Sequence, residues 1–333
     1  MNKLGGSILL NDLIIKCIGF SVTGYGDPSY PIAMENYFKK SGNTVQVSYS
    51  SVGGLSIDAL PYLLKTIVKK GDVDVVILEI TTSWFSFVRT HQEEANNYIK
   101  LVINYLESIN VKIVFLNLYR KDTDDNDIVV KAIHALAYGK YPILDFKAHY
   151  RKQFSETGDD GTTDGVHPKP ETVEYFSTKI CEFIRNNLTN LKINQSILQN
   201  PSYFDLVTLK AAQDKEYFFD SHHGLALSTT KVGQGEVLEI QFPEKKRISG
   251  IFYMFGPDTN QINLSLDGEL INIPMRDEMS YYRRIGYRYL GIRDVQHLKL
   301  EHPKEVMEAK LVREPWEKVD KLHNYIIGFT SGI

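Results

Sequence analysis

The chain has 333 residues, enough to bury more than one hydrophobic core, so two domains are the first expectation. A net charge of −3 excludes the basic footprint of a nucleic-acid binder, and 43 % apolar with 24 % charged residues is a soluble globular composition. The two cysteines, Cys17 and Cys181, lie in apolar patterns; they read as buried free thiols, with no disulfide framework and no ligand spacing for a metal or other cofactor.

At the start of the chain "SILLNDLIIKCIGF" is apolar, but Asn11, Asp12 and Lys16 interrupt it well short of a membrane span. No small-residue cleavage site comes after it, and cutting there would remove the first strand, so the expectation is a cytoplasmic chain with no membrane contact. Short β-branched runs then recur at 13–19, 44–49, 73–80, 111–118 and 141–146. Between them come helical periods: Ala95, Ile99, Val102, Ile103, Leu106 and Ile109 share one face of 92–109. Val129, Ala132, Ile133, Leu136 and Ala137 do the same over 126–138, with Gly139 as the stop, and a last helix covers about 170–188. Strands this apolar cannot face water, and their alternation with helices means a parallel, flavodoxin-like sheet covered on both faces. The expectation for 1–190 is a three-layer α/β/α sandwich of about five strands. Residues 191–219 are polar and weakly periodic and read as a linker. From 220 to 333 strand patterns dominate, with an Asp267-Gly268 hairpin signal, and a helical tail is expected only near 316–327. This second unit reads as all-β, a sandwich of jelly-roll type.

In a parallel sheet, ligands gather at the carboxyl ends of the strands, so the residues just past each strand matter most. After the first comes "SVTGYGDPSYP", with Ser21 at the strand tip; a plain turn with Asp27 capping a helix from Pro28 explains part of it. After the second comes "SVGGLS" with Gly53, after the third "TTSW" with Thr82 and Ser83, and before the last helix "GTTDGVHPKP" with Asp164 and His167. A histidine that deprotonates a serine needs its other ring nitrogen held by an acceptor, and Asp164 lies three residues from His167 on one turn. Gly53 leaves a backbone N–H open to close approach by substrate, as an oxyanion site requires. The Ser21 N–H and the Ser83 hydroxyl complete the candidate set.

These blocks, in their order and spacing, resemble the SGNH (GDSL-like) hydrolase superfamily over residues 12–188. "GFSVTGYGDPSYP" is similar to its first block, "SVGGLS" to its second, "VVILEITTSW" to its third and "DGVHP" to its last. The resemblance implies Ser21 as nucleophile, His167 as base, Asp164 as its partner, and Ser21, Gly53 and Ser83 as the oxyanion hole. Two departures stand out. Phe20 occupies the usual Asp position, and Ser83 occupies that of an Asn donor, whose loss costs about 2.7–4 kcal/mol in a related chemistry. Thr82 is a substitute donor or substrate contact. The resemblance further implies acyl, chiefly acetyl, esters of carbohydrates as substrates. Two rivals remain: an O-acetyltransferase using the same triad, and a non-catalytic glycan-binding or scaffold protein that kept the fold.

The other conspicuous stretches read as framework. "DTDDND" at 122–127 lacks the Gly and Glu of a calcium loop, and His222-His223 has no companion ligand. "RDEMSYYRR" at 276–284 is either a solvated edge strand or the lining of a sugar site, with Arg283 as the candidate contact. Oligomeric state has no signature in the sequence.

Overall fold

The structure is a computed structural model that describes residues 11–83, 92–118, 120–121, 127–191, 205–209, 216–221 and 225–331. The chain divides into two compact units, Met1–Pro201 and Ser202–Ile333. His222, His223, Trp84 and all of the acidic run except Asp127 lie outside the described residues.

The first unit runs β1 (Asn11–Gly19), α1 (Ser21–Gly24), α2 (Tyr30–Lys40), β2 (Thr44–Ser51), α3 (Leu60–Ile67), β3 (Val75–Glu79), α4 (Gln92–Ser108), β4 (Lys112–Asn117), α5 (Ile128–Ala137), β5 (Ile143–Asp145), α6 (Lys147–Thr157) and α7 (Pro170–Asn187). The five strands pair in parallel in the order β2-β1-β3-β4-β5, the flavodoxin-like arrangement. Every residue of β3 is buried, as a strand covered on both faces requires. Alternate residues Ile15, Cys17, Val75, Ile77, Val114 and Leu116 form one core with Met34 and Phe38 of α2 and Phe176 and Ile180 of α7. On the opposite parity Phe115 meets Tyr141 edge-on, and the Tyr141 hydroxyl donates to Glu107 of α4. Local signals set the helix ends. Asp127 accepts from the N–H groups of Val129 and Val130 and caps α5, so the last acid of the acidic run is spent on a helix. Gly139, at φ +72°, follows its last turn.

The second unit comprises β6 (Asp205–Thr208), β7 (Glu216–Ser221), β8 (Leu225–Gly233), β9 (Val237–Phe255), β10 (Gln261–Leu266), β11 (Glu269–Pro274), β12 (Arg284–Glu301) and β13 (His323–Ser331). All pair antiparallel in one eight-stranded sheet, β11-β10-β12-β9-β13-β8-β7, with β6 on β13. The long strands β9 and β12 change register at Tyr289/Arg293 and Val295/His297, where the ladder is interrupted by bulges, and Ile251, Leu264, Leu298 and Phe329 share one core cluster. Asp267 and Gly268 both take positive φ, 48° and 92°, as the two-residue hairpin between β10 and β11 demands.

Four expectations change. The helix after Ser21 begins at Tyr30 with Ser29 at its N-cap, leaving Asp27 and Pro28 in the preceding loop. No helix forms near 316–327, and strand β13 starts at His323: seven consecutive residues from Asn324 to Thr330 are buried, the strand pairing with β8 over 323–326, β9 over 326–331 and β6 over 328–331, a run with no helical face. The expected linker 191–219 contains β6 and the start of β7, peripheral strands too short and polar to register as strands. The "RDEMSYYRR" stretch is a turn before β12, in which Asp277 accepts from the Met279 N–H and the Ser280 hydroxyl and pairs with Arg284.

Candidate active site

The sheet register brings three strand ends level: Gly19 of β1 pairs with Ser51 of β2 on one side and Glu79 of β3 on the other. The chain order reverses between these neighbours, which is where an open α/β sheet leaves its crevice. Gly19 has no room for a side chain, since a Cβ would come within 2.5 Å of the Glu79 carbonyl oxygen. The chain then turns sharply. The Phe20 carbonyl accepts from the Ser51 hydroxyl at 2.7 Å and the Thr23 N–H at 3.0 Å, and Ser21 opens α1. Phe20 itself is buried, filling apolar space where the resemblance places an acid.

The last block meets this serine from the far end of the unit. His167 Nε2 lies 3.0 Å from Ser21 Oγ, and its Nδ1 lies 2.7 Å from Asp164 Oδ2. Asp164 Oδ1 accepts from the N–H groups of Val166 and His167, at 3.0 and 2.9 Å. The carboxylate therefore accepts from Nδ1–H, leaving Nε2 as the acceptor for the serine hydroxyl; this tautomer follows from the hydrogen-bond network. Burial would raise the Asp164 pKa, but the backbone and ring donors of His167 outweigh it and hold the carboxyl below its ordinary value. The turn is clipped at its base. Thr163 N–H donates to the His167 carbonyl at 2.8 Å, Lys121 N–H donates to that of Gly165 at 2.7 Å, and Lys169 pairs with Asp159 at 2.5 Å. Gly165 takes φ +88° and packs under the Lys121 stem, which is why this position suits glycine.

Gly53 completes the approach: a Cβ built on it would lie 3.5 Å from Ser21 Cβ. The third block is arranged differently from the expectation. Thr82 donates its N–H and its hydroxyl to the Glu79 carboxylate at 3.0 and 2.9 Å, which commits it to the framework instead of the substrate. Ser83 follows it, 1 % exposed, with the carbonyls of Thr82 and Ser83 both accepting from Arg120 Nη1 at 3.2 Å. Arg283, in the second unit, donates to Asp258 at 2.9 Å, pairs with Glu317 and lies over the rings of Tyr217 and Tyr325. It too is framework.

Three residues around the site escaped the sequence reading. Glu79 is fully buried, takes the Phe20 N–H as well as the Thr82 donors, and burial raises its pKa. An acid closing an apolar strand was its signal. Arg120 and Tyr25 had none, because their partners are set by tertiary structure alone. Among the described residues no group of His, Cys, Asp and Glu could hold a metal ion, and no helix is long and apolar enough to cross a membrane.

The first unit is a three-layer α/β fold on a five-stranded parallel sheet, and an all-β unit follows it. The combination is shared with a two-domain esterase active on acetylated mannans, solved both alone and co-crystallised with mannopentaose. The mannopentaose complex aligns over 97 % of this chain and 91 % of its own, at 13 % identity and a TM-score of 0.67. The other structure aligns over 97 % and 92 %, at 12 % identity and a TM-score of 0.66. A lipase/acylhydrolase from Enterococcus faecalis aligns over 55 % of this chain and 100 % of its own, at 18 % identity and a TM-score of 0.45. No protein-family model and no curated protein matches the chain in sequence.

Proposed function

We propose that the protein is a serine esterase acting on acetyl or similar acyl esters of a carbohydrate. The observation that carries this reading is the hydrogen-bonded series Ser21–His167–Asp164, at 3.0 and 2.7 Å, on the carboxyl edge of the sheet. Ser21 Oγ attacks the ester carbonyl as its proton passes to His167 Nε2, and Asp164 steadies the imidazolium through Nδ1–H. The oxyanion meets the N–H groups of Ser21 and Gly53, with the Ser83 hydroxyl as third donor. His167 then returns the proton to the departing sugar hydroxyl, and water repeats the sequence on the acyl-Ser21 ester. A carbohydrate substrate is supported by the two-domain esterase of the same fold, which acts on acetylated mannans.

The test is acetate release from an aryl acetate and from acetylated mannan, with quenched intact-mass analysis for acyl-Ser21. The expected result is a Ser21-dependent acyl adduct and free acetate. Equal release by the parent and Ser21→Ala would overturn the reading. Adding sugar acceptors distinguishes transfer, since an O-acetyltransferase would pass the acyl group to a sugar hydroxyl instead of water. Ser83→Ala lowers kcat more than it changes KM if its hydroxyl serves the oxyanion.

A further inference from the structure

Tyr25 lies four residues after Ser21, just past the end of α1. Its ring stacks on the His167 imidazole, with centroids 4.1 Å apart and planes 28° from parallel. The phenol oxygen is 3.5 Å from Thr163 Oγ1, at the limit of hydrogen-bond reach. Thr163 in turn donates from its own hydroxyl to the His167 carbonyl at 3.2 Å. The imidazole is thus held at one edge by Asp164 and faces Ser21 with the other, while a phenol ring covers one of its faces. Tyr25 is 39 % exposed, so folding does not depend on burying it.

We propose that Tyr25 is a positioning residue for acyl transfer, bracing the His167 ring and stabilising the imidazolium formed when Ser21 gives up its proton. The inference rests on the reading of His167 as general base. In that step the Ser21 Oγ–C bond forms, the carbonyl π pair moves to oxygen and the serine proton ends on Nε2. Positive charge therefore develops on a ring stacked at 4.1 Å against an aromatic face, whose quadrupole attracts cations. Neutral imidazole gains only the stacking contact, so the interaction strengthens on the way to the transition state and belongs to kcat. Among the described residues, the other ionisable groups around His167 are Asp164 on its own turn, the Asp159–Lys169 pair and Asp160 at the base of that loop, and Lys121, whose stem packs on Gly165. Substitutions at Tyr25 change none of them, so their fields cancel when variants are compared.

The experiment compares the parent, Tyr25→Phe and Tyr25→Leu, each first shown to unfold at the same temperature. Kinetics on an aryl acetate across pH are paired with NMR titration of 13C-labelled His167 without substrate. Removing the aromatic face destabilises the imidazolium, so in Tyr25→Leu the acid limb of kcat/KM and the His167 NMR midpoint both move to lower pH. At the plateau kcat falls roughly two- to fivefold with KM little changed. Tyr25→Phe keeps the ring and follows the parent in all three readouts. A Tyr25→Leu variant that loses kcat with both pH readouts unmoved, or a Tyr25→Phe variant that matches it, overturns the inference. The NMR arm needs no turnover, so the two ideas fail separately: an inactive parent overturns the esterase reading, whereas identical His167 midpoints in all three proteins overturn the role of Tyr25 alone.

Discussion

Replacing Glu79 by alanine tests how the turn that carries Ser21 is supported. The Glu79 carboxylate is fully buried and accepts from the Phe20 N–H, the Thr82 N–H at 3.0 Å and the Thr82 hydroxyl at 2.9 Å. One side chain therefore ties the residue before Ser21 to the residue before Ser83. Alanine leaves two buried backbone donors without acceptors, at about 1–3 kcal/mol each, while the Thr82 hydroxyl can rotate to a new partner. Removing a carboxylate that burial disfavours offsets part of this. The net expectation is a loss of about 2–5 kcal/mol, read as a lower urea midpoint for the first unit. Glu79→Gln keeps the volume and one acceptor oxygen but turns an amide NH2 toward a donor, so it falls between parent and alanine.

The pH dependence carries the opposite sign from an ordinary ion-paired acid. Burial raises the Glu79 pKa above its unfolded value, so the folded state holds this proton more tightly. Its contribution to stability is full below the unfolded carboxylate range, declines as pH rises toward the folded value, and is flat above it. Glu79→Gln removes that decline. Urea titrations of parent and variants from pH 4 upward measure both effects; an unchanged midpoint in Glu79→Ala, or an identical pH slope in Glu79→Gln, would refute the reasoning.

Asp164→Asn retains the shape of the turn but no longer fixes Nδ1–H, and in the serine proteases the equivalent change costs about 10⁴ in kcat; steady-state kinetics on an aryl acetate should show a loss of several orders of magnitude, and a loss under tenfold would remove Asp164 from the mechanism. The Asp164 pKa is lowered, so its contribution to stability is present above the unfolded carboxylate value and is lost as pH falls through the folded one; acid titration of Asp164→Asn by circular dichroism should show a smaller destabilisation below pH 4 than the parent. Gly53→Ala places a methyl at ordinary contact distance from Ser21, so its thermal midpoint should stay near that of the parent while kcat/KM falls; intact activity would move the oxyanion site away from Gly53. Cys17 and Cys181 are buried, and desolvation pushes both thiols up, so neither should react with a disulfide reagent at pH 8 until the chain is unfolded, when both should.

What the sequence disclosed and what it hid divide along one physical line, the range over which burial is decided. The strands around Ile15, Val76 and Val114, and the helices around Val102 and Ile180, carry their environment in their own periodicity, because a sheet covered on both faces and an amphipathic helix each write a local pattern. Asp164 and His167 were legible for the same reason: their partnership is three residues long. Strand β13 was not, since its seven buried residues owe their environment to three partners distant in sequence, β8, β9 and β6, and no local period distinguishes such a run from a helix. Strand β6 was hidden in an apparent linker because its partner lies in residues 328–331, at the far end of the unit. The same rule separates the members of the site. Ser21 and Gly53 were found from what strand ends do in this topology, whereas Glu79, Arg120 and Tyr25 act on Phe20, Ser83 and His167 across loops that only the finished sheet brings together. Thr82 shows the cost of reading the third block by position: both of its donors face Glu79, inward, because a buried carboxylate must be satisfied before a threonine can be spared for substrate.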